Sequence, residues 1–300
     1  MNPPVLAPIE PAFAEAASFT EATLDALLPQ PSGPEERLLE AMRYATMGGG
    51  KRLRAFLVLQ SGRLFGVDRR ALGRAAAAVE CLHAYSLVHD DLPAMDNDDV
   101  RRGRPSLHKA FDEATAVLAG DALLTLSFAL LASPEVHGDP FVRCELITKL
   151  ASAAGHSGMV GGQMMDLALE NENPPLPEIT RLARMKTASL VSFCCEVGAI
   201  MGKASTAARQ ALAAYGQEVG LAYQIADDLL DLDGHAFETG KAVHKDAARG
   251  KATLVSVLGK ERARAQAEAL VTQAAAHLDL FDEKADLLRA AARFAVVRRS

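Results

Sequence analysis

The chain has 300 residues, of which 49% are hydrophobic and 5% aromatic, with no Trp. This length suits one large helical domain or two small ones, and an Ala- and Leu-rich composition with few aromatics favours helix over sheet. The 32 basic and 38 acidic residues give a net charge of −6. Nucleic-acid-binding proteins are more often basic, so we expect no nucleic-acid partner.

The positions of the 14 prolines divide the chain into helical segments. Residues 35–92 and 178–300 contain no Pro, which is typical of long helices joined by short turns. We predict an all-α fold, with residues 1–11 loosely ordered. In chain order the predicted helices are Phe13 to the Pro29–Pro34 break, Glu35–Met47, Phe56–Phe65, Arg70–Asp91, Phe111–Ala132, 141–169, Ile179–Lys203, Thr206–Asp233 and Ala252–Val297.

The cysteines and the apolar segments bear on the compartment. We expect buried thiols in a reducing cytosol, because the cysteines lie in apolar helical segments without CxxC or metal-ligand spacing. The N-terminal segment lacks the basic and apolar regions of a signal peptide. The most apolar run, Ala116–Ser133, contains Gly120 and Asp121, so we interpret it as a core helix and predict a cytoplasmic protein without a membrane span. The cysteines are Cys81, Cys144, Cys194 and Cys195.

A dense acidic cluster ends the predicted helix Arg70–Asp91, and arginines follow it directly. Pro93 lies inside the cluster and should end or kink the helix. Carboxylates at this density suit a hard divalent cation such as Mg²⁺, which usually binds together with substrate phosphates, and Arg offers planar donors to those phosphates. A metal–diphosphate site is one interpretation, and a solvated acidic turn is the other. The residues are Asp90, Asp91, Asp96, Asp98, Asp99, Arg101, Arg102 and Arg104.

A second acidic cluster, Asp227-Asp228-Leu229-Leu230-Asp231, lies in the predicted helix Thr206–Asp233. Asp227 and Asp231 are four residues apart and therefore share one helical face. Like charges at this spacing destabilise a bare helix, so two such clusters in one chain make a solvated surface a poor explanation. Facing each other, the two clusters could hold several Mg²⁺ ions between them.

Basic elements accompany both clusters. Gly48–Gly50 precede Lys51, Arg52 and Arg54, and such glycines let the backbone approach an anion closely. The loop is not a Walker A motif, because Arg52 follows Lys51 where that motif has Ser or Thr. On a helical wheel His83 lies about 20° from Asp90, which places it on the carboxylate side.

The segment Gly234–Lys251 follows the second cluster and has no clear periodicity. A structureless segment of this length inside a compact domain is usually functional. Because it carries Lys241, Lys245 and Lys251, we predict a lid with cationic tips.

The segment Asp90–Asp96 resembles DDxxxxD, the first Asp-rich motif of the trans-isoprenyl diphosphate synthases, and Asp227–Asp231 resembles their second motif, DDxxD. Motifs in this order and spacing are specific, so the chain is identified by resemblance as a member of that family, close to its bacterial members that make farnesyl diphosphate. One departure is Leu254, where family members often have an aromatic residue. The other matching motifs are GGGKRLR at 48–54, RRGRPSLH at 101–108, GGQMMDL at 161–167, KT at 186–187, YQ at 223–224, and GK at 240–241 and 250–251.

The resemblance implies an all-α fold, a single domain over residues 1–300 with antiparallel helices around a central cavity, in a usually dimeric enzyme. Such an enzyme joins isopentenyl diphosphate to an allylic diphosphate with several Mg²⁺ ions, or Mn²⁺ in their place. The resemblance implies metal binding by Asp90 and Asp96 from one side and by Asp227 and Asp231 from the other, with Asp91 and Asp228 assisting. It implies allylic diphosphate binding by Arg101, Lys186, Thr187, Gln224, Lys241 and Lys251. It implies isopentenyl diphosphate binding by Lys51, Arg54, His83 and Arg102. The residues expected to act in catalysis are Asp90, Asp96, Asp227, Lys186, Thr187 and Gln224.

The resemblance also implies a product length. An aromatic residue five positions before the first Asp motif goes with a C15 product, and here that residue is Tyr85, followed by Ser86. We therefore expect farnesyl diphosphate, with geranylgeranyl diphosphate as the alternative. The helical wheel turns Tyr85 about 140° from Asp90, so packing against a neighbouring helix remains an open alternative for this ring.

Three other classes of protein deserve comparison. A metal-dependent phosphohydrolase could use His83, His89 and Asp90, but it leaves the second cluster and the basic elements unexplained. A terpene cyclase typically has an Asn/Ser/Glu pattern at its second metal site, whereas this chain has three aspartates. A regulatory subunit of a heteromeric synthase tends to lose its Asp motifs, and both are intact here.

Overall fold

A computed structural model describes residues 9–233 and 252–297, and within these ranges the chain is almost entirely helical. The all-α prediction is confirmed. The exception is a short β-hairpin whose strands, β1 (Val100–Arg101) and β2 (Arg104–Pro105), have two residues each, and the sequence did not predict it. Its turn needs positive φ at both central positions, and Arg102 and Gly103 adopt φ values of 53° and 73°.

The helices form two compact units. Among the described residues, the N-terminal unit comprises Glu10–Leu59 and Val67–Ile147, and the C-terminal unit comprises Ile9, Gln60–Gly66, 148–233 and 252–297. The expectation of one domain around a central cavity stays a prediction. The helices are α1 (Glu10–Leu27), α2 (Glu36–Thr46), α3 (Leu53–Arg63), α4 (Arg69–Asp90), α5 (Leu107–Ala110), α6 (Glu113–Ala132), α7 (Pro140–Ala154), α8 (Met159–Ala168), α9 (Leu176–Ala183), a π-helical segment (Arg184–Ala188), α10 (Ser189–Met201), α11 (Thr206–Asp233), α12 (Leu254–Leu258), α13 (Lys260–His277), a 3₁₀ segment (Asp279–Ala285) and α14 (Asp286–Val297).

The N-terminal unit is built around α4, which packs against α6. The Asp68 side chain caps α4 by accepting hydrogen bonds from the backbone N–H groups of Arg70 and Ala71. The helix ends at Asp90, so it delivers the first acidic cluster at its C-terminus and stops before Pro93, as the sequence predicted.

The C-terminal unit is built around α11, which packs against α10 and α13. The apolar residues Ala222, Ile225 and Leu229 of α11 lie in one buried cluster with Leu254 and Val255 of α12. The residue at the family's aromatic position, Leu254, is therefore part of this core. The bounds of α11 match the predicted helix Thr206–Asp233.

Several predicted helices are interrupted. The segment 141–169 forms two helices, because the chain turns at Gly155–Gly158, where a Cβ on Gly158 would lie 2.7 Å from the Ser152 carbonyl oxygen. Ile179–Lys203 contains the π-helical segment, and Ala252–Val297 is broken at Gly259, which adopts a φ of 77°. At the N-terminus α1 begins at Glu10, so the last two residues of the segment predicted to be loose are helical.

Two surface features bear on the compartment predictions. Cys144 is exposed on α7, so the expectation that all four thiols are buried is wrong for this one, whereas the other three are buried. In the part of the chain that the structure describes, α6 is long and apolar enough to cross a membrane by length and composition, and 39% of its apolar window is buried. The absence of a membrane span and the cytoplasmic location stay predictions.

Candidate active site

The first acidic cluster folds back onto the end of α4. The backbone N–H of Asp96 donates to the Asp90 carbonyl at 2.7 Å, and that of Asp98 donates to the Asp91 carbonyl at 3.1 Å. Two predicted metal ligands, Asp90 and Asp96, are thereby brought together in the N-terminal unit. Both are partly exposed, whereas Asp91 is only 2% exposed.

Asp91 is engaged by Arg101. The Arg101 Nε lies 3.1 Å from each carboxylate oxygen, and its Nη2 also contacts Oδ1. Burial by itself would lower the pKa of Arg101, but the hydrogen bond and charge of Asp91, with Asp98 and Asp90, raise it overall. The structure therefore pairs Arg101, a predicted ligand of the allylic diphosphate, with an aspartate of the metal motif.

The loop Gly48–Lys51 is anchored by Arg52, which the sequence analysis included in a basic group beside the glycines but not among the diphosphate ligands. Arg52 is buried, donates to the Glu80 carboxylate at 3.0 Å and to the Thr46 carbonyl at 2.6 Å, and adopts a φ of 50°. The second Glu80 oxygen accepts from the backbone N–H of Ala55 at 3.1 Å. This buried ion pair fixes the loop against α4 and leaves Lys51 exposed beside it.

The predicted isopentenyl diphosphate ligands form a positively charged cluster in the same unit. Arg54 Nη1 lies 3.1 Å from His83 Nε2, and Arg102 Nη1 donates to the Gly49 carbonyl at 2.7 Å. Burial, together with Arg54, Arg102 and other arginines, holds the pKa of His83 well below 6.5. The imidazole is therefore neutral at physiological pH and accepts from Arg54. The helical wheel predicted that His83 lies on the same side of α4 as Asp90, whereas the charged groups that shift the pKa of His83 are all arginines.

The concentration of positive charge also acts on Arg102. Burial is the largest cause that lowers its pKa, and Arg52, Arg54 and Arg101 lower it further, while Glu80 opposes them. Cations packed this closely repel one another, so a bound anion such as a diphosphate would relieve the repulsion.

Tyr85 packs within its own helix and toward α6. Its ring meets the His89 imidazole edge-on, with 4.9 Å between the centroids, and Ser86 Oγ donates to the His83 carbonyl at 2.9 Å. His89 Nε2 lies 3.1 Å from the Val117 carbonyl. The His89 imidazole lies directly over Gly120 of α6, so a side chain at position 120 would collide with it. Burial, then Asp90 and Asp121, raise the pKa of Tyr85, so its hydroxyl stays protonated.

In the C-terminal unit, Lys186 and Thr187 lie in the π-helical segment, a local geometry that is frequent at functional sites. Two glycines approach this segment closely. A Cβ on Gly162 of α8 would lie 2.6 Å from Lys186 Cα, and a Cβ on Gly220 of α11 would lie 2.5 Å from Ala188 Cα. Because a side chain at either glycine would collide with this backbone, the two glycines allow the π-helical segment to pack closely against α8 and α11.

Hydrogen bonds join the π-helical segment to its neighbours. Lys186 Nζ lies 2.5 Å from Asp166 Oδ2 on α8. Thr187 Oγ1 donates to Gln224 Oε1 at 2.7 Å, and Gln224 Nε2 donates to Asp228 Oδ1 at 2.8 Å. Three predicted site residues, Thr187, Gln224 and Asp228, thus form one connected group, and Lys186 adjoins Thr187 in the π-helical segment.

The second Asp motif shows the same division as the first. Asp227 and Asp231 are partly exposed, whereas Asp228 is 8% exposed and engaged by Gln224. The resemblance implied metal binding by Asp227 and Asp231 with Asp228 assisting, and this assignment stays a prediction.

The donor chemistry fits Mg²⁺ brought by a substrate. Within residues 9–233 and 252–297, no group of three or more His, Cys, Asp or Glu is already arranged to hold a metal ion. Mg²⁺ usually keeps several waters and binds through one or two carboxylates plus substrate phosphates. Partly exposed carboxylates without a closed protein cage suit that mode of binding, and Asp90, Asp96, Asp227 and Asp231 would supply them.

Lys241 and Lys251, two predicted ligands of the allylic diphosphate, and the predicted lid Gly234–Lys251 lie outside the described residues.

The sequence analysis did not single out Asp166 and Gln163, which lie in the GGQMMDL motif. Gln163 is 9% exposed, and neither of its amide atoms has a hydrogen-bond partner among the described residues. Their i, i+3 spacing on one helix could have indicated a shared face.

Comparisons with known proteins agree with this combination of fold and site. The family model described as polyprenyl synthetase matches residues 35–289. The chain is 46% identical to a farnesyl diphosphate synthase of Escherichia coli over 79% of this chain and 80% of that protein. It is 41% identical to a farnesyl diphosphate synthase of Bacillus subtilis over 85% of this chain and 89% of that protein. The chain therefore belongs to the polyprenyl synthetase family and is an enzyme.

Solved structures are similar over almost the whole chain. An apo FPP/GFPP synthase from Zymomonas mobilis is 51% identical with a TM-score of 0.88, covering 96% of this chain and 98% of that one. A geranyltransferase from Helicobacter pylori, complexed with magnesium and isoprenyl diphosphate, is 32% identical with a TM-score of 0.84 and 98% of each chain covered.

Proposed function

We propose that the protein condenses isopentenyl diphosphate with dimethylallyl or geranyl diphosphate, head to tail, and that its product is farnesyl diphosphate. The observation that carries the proposal is the pair of acidic motifs whose first and last aspartates are partly exposed, each accompanied by fixed cationic side chains. The names of the relatives in Escherichia coli and Bacillus subtilis support the same product.

The allylic substrate leaves its diphosphate, and negative charge grows on that group in the transition state. Asp90 and Asp96 in one unit, and Asp227 and Asp231 in the other, would hold Mg²⁺, which would supply Lewis-acid stabilisation of the leaving diphosphate when bound. Lys186 would donate to the same group from the π-helical segment, where Asp166 holds its ammonium. The hydroxyl of Thr187 and the amide of Gln224 would face the allylic cation with their dipoles.

Isopentenyl diphosphate lacks an aspartate motif of its own, so direct cations must hold it. Arg54, Arg102 and the neutral imidazole of His83 form the cationic cluster described above, with Lys51 exposed beside it. The expected result of Lys51→Ala or Arg54→Ala is a rise in KM for isopentenyl diphosphate that exceeds the rise for the allylic substrate.

For the product, Tyr85 supplies the bulk that stops the growing chain. Its ring is held by the His89 imidazole, and Ser86 next to it is small. The Tyr85→Ala variant should make longer chains, and a wild type that makes mainly geranylgeranyl diphosphate would instead support the alternative product.

We also propose a homodimer and a cytoplasmic location. The outward face of α6 carries two exposed apolar side chains, Val117 at 40% and Leu118 at 58%, along with the exposed Asp121 and Thr125. A second copy of the chain covering this face would bury it. Sedimentation of the wild type as a dimer and of Leu118→Lys as a monomer is the expected result, and a monomeric wild type would contradict the proposal.

The test of the proposed activity is turnover of isopentenyl and geranyl diphosphate with and without Mg²⁺. Excess EDTA should abolish it, and Asp90→Ala and Asp227→Ala should each lower kcat by about a thousandfold, because a ligand of the metal that stabilises the leaving group is lost. Circular dichroism must show that both variants are folded. Phosphate release without isopentenyl diphosphate, and no condensation with it, would indicate a phosphohydrolase instead.

A further inference from the structure

The β1–β2 hairpin has little structure of its own to hold its turn in place. Each strand has two residues, and the register pairs Val100 with Pro105 and Arg101 with Arg104. A two-stranded hairpin of this size is at best marginally stable in water. At its turn Arg102 adopts a φ of 53°, which is unfavourable for a residue that has a Cβ. Contacts from outside the hairpin must therefore fix the position of Arg102.

Tyr44, near the C-terminal end of α2, contacts both residues of β2. Its hydroxyl donates to the Pro105 carbonyl at 2.9 Å, and the guanidinium of Arg104 lies over its ring, 4.0 Å from the centroid. This distance is well within the range of a cation–π contact. The Tyr44 ring is itself packed edge-on against Phe111, with 5.7 Å between the centroids. One side chain of α2 thus holds both residues of β2.

The same end of α2 leads into the loop Gly48–Lys51, which meets the turn of the hairpin. The Gly49 carbonyl accepts a hydrogen bond from Arg102 Nη1 at 2.7 Å, and a Cβ on Gly50 would lie 3.2 Å from Arg102 Cζ. The loop and the guanidinium are therefore packed closely. Because Tyr44 ties the hairpin to the helix from which the loop leaves, it keeps these two parts at a fixed separation.

The two neighbouring arginines of the hairpin differ in how much they depend on this support. Arg101 Nε lies 3.1 Å from each carboxylate oxygen of Asp91, and Arg101 Nη2 lies 3.6 Å from Asp98 Oδ2. Arg102 is held instead by the neutral carbonyl of Gly49. Hydrogen bonds to a charged partner are stronger than those to a neutral one, so a displacement of β2 should act mainly on Arg102.

We propose that Tyr44 is a positioning residue for the binding of isopentenyl diphosphate. It holds β2 against α2 and thereby keeps the Arg102 guanidinium beside the loop Gly48–Lys51, where it meets the diphosphate. Tyr44 itself does not contact the substrate in this role. The inference rests on the proposed condensation, in which Arg102 binds isopentenyl diphosphate.

Steady-state kinetics with isopentenyl and geranyl diphosphate test this role. Tyr44→Leu keeps an apolar side chain but removes the ring and the hydroxyl. It should raise KM for isopentenyl diphosphate about tenfold and KM for geranyl diphosphate by less than about twofold. Tyr44→Phe keeps the ring beneath Arg104, so its KM for isopentenyl diphosphate should stay within about threefold of the wild-type value. An equal rise in both KM values, or no rise in either, would overturn the inference.

A double-mutant cycle shows whether Tyr44 acts through Arg102. Arg102→Ala should itself raise KM for isopentenyl diphosphate by about tenfold or more, because a direct cation is lost. When Tyr44→Leu is added to Arg102→Ala, KM should change by less than about twofold, since the group that Tyr44 positions is already absent. Additive rises in KM would overturn the inference.

Tyr215→Phe is the matched control for a change that lowers stability alone. The Tyr215 hydroxyl donates to the Leu288 carbonyl at 2.6 Å and is buried in the C-terminal unit. Urea denaturation should show that Tyr215→Phe lowers the free energy of unfolding, while both KM values stay at the wild-type level. If Tyr215→Phe raised KM for isopentenyl diphosphate as much as Tyr44→Leu does, the effect would follow stability and the inference would be overturned.

The outcomes separate the inference from the proposed function. A wild type that makes no condensation product would overturn the proposed function, and the inference with it. A wild type that condenses its substrates, together with a Tyr44→Leu variant whose KM values are unchanged, would overturn the role of Tyr44 alone. A selective rise in KM for isopentenyl diphosphate that disappears in the Arg102→Ala background would support the inference.

Discussion

Gly162 offers a direct way to disturb the π-helical segment without changing a polar group. A Cβ at this position of α8 would lie 2.6 Å from Lys186 Cα. Carbon atoms in optimal contact are about 3.5–4.0 Å apart, so Gly162→Ala must push the segment away by about 1 Å. Lys186 and Thr187, which we place at the allylic diphosphate and cation, move with it.

The expected loss is larger in activity than in stability. Overpacking typically costs about 1–3 kcal/mol of the free energy of unfolding, and replacing a helical Gly by Ala returns up to about 1 kcal/mol. A 1 Å misplacement of catalytic groups can lower the rate about a hundredfold. We therefore expect Gly162→Ala to lower kcat about a hundredfold while the free energy of unfolding falls by no more than about 2 kcal/mol.

The assay is steady-state condensation of isopentenyl and geranyl diphosphate, with urea denaturation of the same preparations. Gly138→Ala is the control, because a Cβ there would meet no atom within 4 Å. Wild-type kcat in a folded Gly162→Ala protein would refute the reasoning, since it would show that the close contact does not position the segment.

Three further predictions concern buried charge, pH and thiols. Glu80→Gln leaves the buried charge of Arg52 with only the Glu21 carboxylate, 3.7 Å away, and urea denaturation should show that the free energy of unfolding falls by about 3 kcal/mol. A fall of less than about 1 kcal/mol would contradict this prediction. The pKa of His83 is held well below 6.5 in the folded chain, so below about pH 6.5 the unfolded chain binds one proton more than the folded chain, and the free energy of unfolding decreases as the pH is lowered. His83→Asn should reduce this pH dependence, and an unchanged dependence would exclude His83 as its source. Burial raises the pKa of the Cys81 thiol to about 12, and Cys194 and Cys195 are also buried, whereas Cys144 is exposed. A thiol reagent should therefore react rapidly with the native protein at Cys144 alone, and Cys144→Ser should abolish this rapid reaction. Rapid reaction of a second thiol would contradict the burial of the other three.

The sequence predicted those parts of the fold that depend on local pattern. The bounds of α11 and the end of α4 followed from apolar periodicity and from Pro93. The π-helical segment was missed, because it depends on contacts between helices that periodicity does not contain. The break at Gly155–Gly158 was also missed, although it is a local turn whose glycines lie against the carbonyls of Ala151 and Ala153. Gly162 and Gly220 meet the segment from α8 and α11, and a glycine inside a helix was the available signal.

The candidate site was predicted as a set of residues but not as a set of contacts. The family motifs identified Asp91 and Asp228 with the other aspartates, and only the structure shows that each is buried against a side chain of its own unit. The role of Arg52 was missed for the same reason, since its partner Glu80 lies 28 residues away along the chain. Pairing over such distances depends on the fold and has no periodic signature.

The product of the wild-type enzyme tests the central claim most directly. Labelled isopentenyl diphosphate would be incubated with geranyl diphosphate and Mg²⁺, and the dephosphorylated products separated by chromatography beside those of Tyr85→Ala. We predict a C15 alcohol from the wild type and longer alcohols from the variant. A wild type that yields no elongated product, or mainly C20, would contradict the account.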